Sequence, residues 1–318
     1  MLINGELLCL QYICSMTVEE EKKNNLENAR VKPALIYIEK VLENKSPTLR
    51  RLLPGFVIRY LKRIIHQDEL NFYLTEYAHL QGIEFIDAVL GYINTKVEIV
   101  GLENIPKKEK CIVASNHPLG GLDGNALMLA VSKVRQDIVF PVNDILMNIE
   151  NMKSLFIPIN KHGSNAENIK IINDTFASDI LVCYFPAGLV SRKSKGEIRD
   201  TEWKTTFITK ARRFKRDIIP THISGRNTNF FYNLANFRKK FRIKANLEML
   251  YLVDEFHKQK NKTLLITFGP RIPYKTFDKR FKNTEWADLM KQYVYKMGSG
   301  YKESFEVFIE TNPQVGNP

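Results

Sequence analysis

In Ser115-Asn-His-Pro-Leu-Gly-Gly-Leu-Asp-Gly124 the residue types and their order suggest chemistry. A short apolar run ends in a histidine, two glycines follow that let a backbone approach a ligand closely, and an aspartate then opens a helical segment. Imidazole titrates near neutral pH, so His117 can take a proton from a hydroxyl. A carboxylate beside it would hold the tautomer and stabilise the imidazolium. Two readings stay open: His117 and Asp123 form such a pair, or Asp123 caps a helix while His117 packs beneath the glycine turn.

Tyr184-Phe-Pro-Ala-Gly-Leu-Val-Ser-Arg192 is a second candidate, a strand-like run entering a Pro/Gly turn, with Lys193 and Lys195 beyond it in a polar loop. Such a turn can present amides and an arginine to an anionic headgroup. Its plain alternative is a strand exit with solvated basic residues. Cys111 and Cys183 lie in apolar runs where a thiol is inert, so an acyl-cysteine is not expected. With Cys9 and Cys14 they form no CxxC pair, which fits a reduced cytoplasmic setting. His117, His162, His222 and His257 show no ligand spacing to carboxylates or thiols, so no metal site is expected. The G-x-S-x-G elbow of serine hydrolases is absent.

The elements that must position these residues follow from periodicity. Residues 1–94 read as a helical section, through Leu35, Ile38 and Val41, then Leu49 to Ile64, then Phe85, Val89 and Ile93. From Lys96 β-rich runs begin near Val97, Cys111, Ile138, Leu155, Ile180, Ile218 and Leu264. Helical segments alternate with them near 124–134, 165–178, 203–215, 229–238 and 284–297, the first with Asp123 as N-cap. Alternation of this kind predicts an α/β domain over 95–310, followed by a loose tail at 311–318. A loop at the carboxyl end of a strand, where His117 falls, is where α/β folds place ligands.

With 47 Lys+Arg against 35 Asp+Glu the net charge is +12, which favours anionic partners: phospholipid surfaces, acyl-carrier protein, coenzyme A or nucleic acid. Leu49 to Ile64 interleaves Leu52, Phe56, Tyr60 and Ile64 with Arg50, Arg51, Arg59, Lys62 and Arg63, as in a helix lying on an anionic bilayer, with Pro54 near its first turn or kinking it. Alternatively, its apolar side packs on the core and its basic side is solvated. Phe230, Phe231, Phe237 and Phe241 beside Arg238, Lys239, Lys240 and Arg242 offer a second contact. Such mixtures also stack nucleic-acid bases, but no nucleic-acid motif accompanies this one, so no nucleic-acid partner is expected. No uncharged apolar run reaches the roughly 18 to 20 residues of a membrane span. The first sixteen residues carry Glu6 and no basic leader, which does not read as a secretory signal, and Met16 is a candidate start.

Together the two chemical stretches resemble the lysophosphatidic acid acyltransferase family of glycerolipid acyltransferases, whose blocks are an Asn-His motif with a following Asp and then a Phe-Pro-Glu-Gly-type turn with Arg. Leu155-Phe-Ile-Pro-Ile-Asn-Lys161 resembles the block between them, and Ile219-Pro-Thr-His-Ile-Ser-Gly225 the last. The helical front and Asn229 to Lys240 are similar to a hemolysin-like bacterial branch that includes lyso-ornithine and lyso-glycine lipid O-acyltransferases. The resemblance implies a mixed, mostly parallel sheet flanked by helices. It implies His117 and Asp123 as catalytic residues, and Asn116, Gly120, Gly121, Lys161, Pro186, Gly188 and Arg192 as substrate-binding ones. Acyl would pass from an acyl-carrier-protein or acyl-CoA thioester to a lysolipid hydroxyl without a further cofactor. Turn amides near Gly121 or Gly188 would stabilise the oxyanion, and the enzyme would be peripheral on the cytoplasmic face of the inner membrane.

Two departures from the family pattern matter. Five residues separate His117 from Asp123 where the family has four, so the Gly120-Gly121 turn must absorb one, and Asp144 is the next carboxylate to consider. Ala187 replaces the family's acidic residue, which points away from lysophosphatidic acid and toward an amino-acid lipid acceptor. A lysophosphatidic acid acyltransferase, a lipid-ester hydrolase using the same histidine, and a noncatalytic basic membrane-binding protein remain the alternatives.

Overall fold

The computed structural model of the chain describes residues 35–142, 146–158, 165–243 and 246–312. Five helices come first: α1 (Ile38–Lys45), α2 (Pro47–Leu52), α3 (Gly55–Ile64), α4 (Gln67–Glu76) and α5 (Ile83–Tyr92). The chain continues through β1 (Lys96–Val100), β2 (Cys111–Ser115), α6 (Gly121–Ser132), β3 (Ile138–Val142) and β4 (Phe156–Pro158). Next come α7 (Asn165–Ala177), β5 (Leu181–Tyr184), β6 (Arg192–Ser194), β7 (Glu197–Arg199), α8 (Thr206–Phe214) and β8 (Asp217–Ile223). It closes with α9 (Asn229–Lys240), α10 (Leu252–His257), β9 (Thr263–Phe268), α11 (Asn283–Gly298) and α12 (Phe305–Thr311).

These elements fall into two compact units. One takes its described residues from 1–94, 142–163 and 227–260; the other from 95–141, 164–226 and 261–318.

In the second unit six strands lie in the sheet order β1-β9-β8-β2-β5-β3, and β6 and β7 pair separately. All pair in parallel except β8 with β9, whose register sets Thr221 opposite Phe268, so the sheet is mixed and mostly parallel as expected. Central β2 reads Cys-Ile-Val-Ala-Ser and is buried at every position, as a parallel strand covered on both faces must be. Edge strand β1 alternates exposed and half-buried residues. Ile112 and Ala114 of β2 belong to a core cluster with Phe207 and Ile208 of α8 and Trp286, Met290 and Tyr293 of α11.

Arg216, between α8 and β8, is fully buried and donates to the carbonyls of Cys111, Thr175, Phe176, Ser178 and Ile180. It thereby ties the end of α7 to the starts of β2 and β5. Burial pulls its pKa down to about 10, which still leaves a cation at neutral pH.

Several expectations are corrected. Asp123 is not an N-cap: α6 starts earlier, at Gly121, with Gly120 as N-cap and Asp123 in the first turn. The polar loop after Arg192 is a β6–β7 hairpin, closed by Lys195 and Gly196 with φ of 50° and 86°. Positive φ at both turn positions matches the right-handed strand twist, but Lys-Gly is a weaker signal than Asn-Gly or Asp-Gly. Helix α12 runs through Thr311 with Phe305, Phe308 and Ile309 buried, and residues 313–318 of the expected tail lie outside the described residues.

In the first unit Ile38, Val41, Leu42, Ile58, Leu61, Ile64 and Ile65 form the core. The stretch Leu49 to Ile64 is not one helix. It breaks after Leu52, and Pro54 becomes the N-cap of α3, because proline supplies no N–H and disfavours helical backbone in the residue before it. Among the described residues no helix is long and apolar enough to cross a membrane.

Candidate active site

The site grows from the end of β2. His117 follows Ser115 by two residues and so leaves the sheet at its carboxyl edge. Its backbone is pinned on both sides: the amide donates to Asp200 Oδ1 at 3.1 Å, and the carbonyl accepts from the Ser191 amide at 2.7 Å. The ring stacks on Phe185 with centroids 4.0 Å apart, and Phe185 in turn leans on Phe140.

The sixth residue on, Asp123, reaches back to it. His117 Nδ1 lies 3.1 Å from Asp123 Oδ1, while Asp123 Oδ2 accepts from the amides of Leu119 at 2.8 Å and Gly120 at 3.3 Å. In the turn between them Gly120 has a φ of 95°, backbone that side-chain-bearing residues rarely adopt. Asp144 lies outside the described residues. Because Asp123 accepts throughout, Nδ1 carries the proton in this pair, and in the neutral ring Nε2 keeps its lone pair.

Burial by itself disfavours the charged ring, but the Asp123 carboxylate, its hydrogen bond and the more distant Asp200 outweigh that. Arg192 pulls the other way, and the net result is a His117 pKa above its ordinary value.

Asp200 has no signature in the sequence. It is 4% exposed and collects donors from three directions: the His117 amide, Ser191 Oγ at 2.6 Å and Trp203 Nε1 at 2.8 Å. Its own amide donates to Tyr295 Oη at 2.7 Å. Ser191 just precedes β6 and Trp203 lies on the approach to α8, but His117 and Tyr295 are 83 and 95 residues from Asp200, separations over which no motif operates.

Asn116, expected at the substrate, braces the end of β8. Its Nδ2 donates to the Ile223 carbonyl at 2.9 Å and its Oδ1 accepts from the Ile223 amide at 2.7 Å, so the buried side chain is spent on the end of β8. In the turn after β5, the Pro186 carbonyl accepts from Lys204 and the Gly188 amide donates to the Phe185 carbonyl, so the Gly188 amide is not free for an oxyanion. The first-turn amides of α6 at Gly121 and Leu122 are ones that helix geometry leaves without intrahelical acceptors. Ala187 is 3% exposed and belongs to the core cluster, so it does not choose the acceptor by touching it. Arg192 stays close enough to act on His117, with Nη1 donating to the Val190 carbonyl at 2.7 Å. Lys161 lies outside the described residues.

The buried thiols are poor nucleophiles: desolvation pushes Cys111 up to about 12 and Cys183 well above the ordinary range. Burial drives His222 down to about 4, and it packs edge-on to Tyr295 as a neutral ring. Among the described residues no three His, Cys, Asp or Glu side chains are grouped to hold a metal ion.

A histidine–aspartate pair at the carboxyl edge of a mixed sheet, in a chain whose residues 40–298 match the acyltransferase family model, places the protein in that family, and it is an acyltransferase. Two relatives are more particular. The lyso-glycine lipid O-acyltransferase of Phocaeicola vulgatus is 47% identical over 265 residues, 83% of this chain and 95% of that protein. The lyso-glycine lipid O-acyltransferase of Bacteroides thetaiotaomicron is 46% identical over 265 residues, 83% of this chain and 97% of that one. A solved structure, the 1-acyl-sn-glycerophosphate acyltransferase PlsC of Thermotoga maritima, aligns over 84% of this chain and 95% of its own at 14% identity and a TM-score of 0.41.

Proposed function

We propose that this enzyme transfers a fatty acyl group from an acyl-carrier-protein or acyl-CoA thioester to the hydroxyl of a lyso-glycine lipid, with His117 as general base. The observation that carries the acceptor is the 46–47% identity to two lyso-glycine lipid O-acyltransferases over nearly their whole length. In the proposed step His117 Nε2 takes the hydroxyl proton as the oxygen attacks the thioester carbonyl. Collapse of the tetrahedral intermediate breaks the C–S bond, and the imidazolium returns its proton to the departing thiolate. Asp123 holds the ring by Nδ1–H and stabilises the imidazolium. The amides opening α6 receive the oxyanion. Membrane association is proposed to be peripheral, supported by the exposed Leu52, Phe56 and Tyr60 of α2 and α3 and Phe230 and Phe237 of α9, set among exposed Arg51, Arg59 and Lys239.

The deciding experiment incubates purified protein with acyl-carrier-protein thioester and either lyso-glycine lipid or lysophosphatidic acid, comparing wild type with His117→Ala by mass spectrometry. Product from lyso-glycine lipid that disappears in the variant is the expected result. Product from lysophosphatidic acid instead makes the protein a phospholipid enzyme, and turnover that survives His117→Ala removes His117 from the chemistry.

A further inference from the structure

A cavity of about 380 Å³ lies wholly within the helical unit, far along the sequence from every residue of the catalytic loop. Tyr60, Arg63 and His66 line it from the end of α3, and Tyr251, Asp254 and Lys258 from around α10. Its charges are unevenly matched. Asp254 is fully engaged, accepting from His66 Nε2 at 3.0 Å through one oxygen and from Lys258 Nζ at 2.6 Å through the other. Arg63 has no carboxylate partner among the described residues, and its guanidinium lies over the Tyr60 ring, 5.3 Å from the centroid. The Tyr60 and Tyr251 hydroxyls share one hydrogen bond of 2.7 Å. Only one of them can donate to the other, so the second hydroxyl retains a proton for an incoming acceptor.

A guanidinium without a counter-ion beside a spare O–H donor is the chemistry of an anion site, and a planar fork suits phosphate oxygens in particular. The rim identifies which phosphate. Phe230 is half-exposed and packs edge-to-face on Tyr251 at 4.9 Å, Tyr60 is exposed on the other side, and Phe56 and Leu52 continue the exposed apolar edge back along α3 and α2. A soluble anion has no use for that rim, whereas a lipid brings acyl chains next to its phosphate.

We infer that this cavity binds the phosphate of an anionic phospholipid headgroup and seats the helical unit on the bilayer at one defined point. The inference rests on the peripheral-membrane reading and narrows it from a diffuse basic surface to a site. Sedimentation of the full chain with phosphatidylcholine vesicles, with and without phosphatidylglycerol, tests it using Arg63→Gln and Arg59→Gln. Arg59 is an exposed charge on the same helix and does not line the cavity. A charge acting only through surface potential is worth about fivefold in partitioning. The site requires Arg63→Gln to lose well over tenfold of the phosphatidylglycerol-dependent binding and Arg59→Gln no more than about fivefold, with acyl transfer to detergent-dispersed acceptor unchanged in both. Equal losses in the two variants overturn the site and leave the membrane reading intact. Wild type that ignores phosphatidylglycerol overturns both, and inorganic phosphate binding through Arg63 without any vesicle effect assigns the cavity to a soluble anion instead.

Discussion

At the scale of single residues the proposed mechanism ties activity at each pH to how His117 is held. Its folded pKa is raised, so the neutral base that the proposed proton abstraction needs is populated only as pH climbs above the ordinary imidazole value of about 6.5. The acid limb of kcat/KM is therefore expected above that value, and Asp123→Asn should move it to lower pH while lowering kcat by about 10²- to 10⁴-fold. An unmoved limb in the Asn variant would mean that Asp123 does not govern the ring. Stability runs the other way: a raised histidine pKa contributes stability that is fully present below the unfolded value and lost as pH rises through the folded one, so this pair favours the folded state most under acid conditions, where activity is least. Asp200→Asn is expected to act through position. All the side-chain partners of Asp200 are donors, so an amide NH₂ must face at least one of them. Slower turnover, a smaller acidward shift than Asp123→Asn and a lower melting temperature are the expected readouts. A variant that merely melts earlier, with its pH profile fixed, would make Asp200 a scaffold residue alone.

At the scale of elements, the short path from β2 into α6 sets the geometry of the dyad, and Gly120 is its critical joint. Alanine there would be forced into backbone that costs about 1–3 kcal/mol, or would release the Leu119 and Gly120 amides from Asp123. Gly120→Ala should therefore lower the thermal midpoint and lose activity together, whereas Gly121→Ala, one residue on in helical backbone, should be far milder in thermal melts. Arg216 does comparable work at the opposite end of the strands. Arg216→Met orphans carbonyls at the end of α7, the start of β2 and the approach to β5 at once, and with each buried unsatisfied group costing about 1–3 kcal/mol the loss should reach about 3 kcal/mol or more in chemical denaturation. The element pattern itself was largely legible: β2 matches the run Cys111 to Ser115, and α7 and α9 fall within two residues of the expected segments. The β6–β7 hairpin was not, because its Lys195-Gly196 turn and three-residue strands carry little local signal.

At the scale of the whole molecule the excess of +12 and the exposed aromatic and basic side chains of α2, α3 and α9 predict binding to anionic vesicles that weakens steeply between low and physiological salt, because exposed charges are screened over about 10 Å at 0.1 M. Binding insensitive to salt would point to apolar insertion as the main contribution. What the sequence determined by itself was whatever depends on neighbours along the chain: the strand before His117, the α/β alternation and the blocks of the acyltransferase family. What only the tertiary structure decided depends on residues far apart in the chain. Asp200 meets His117 across 83 positions, Tyr295 meets Asp200 across 95, and Asn116 turns out to be a brace for Ile223 across 107. The cavity beside Arg63 likewise joins α3 to α10. Local spacing fixes backbone that is only a few residues long, whereas contacts of this range exist only after the sheet order and helix packing have chosen which ends of the elements come together.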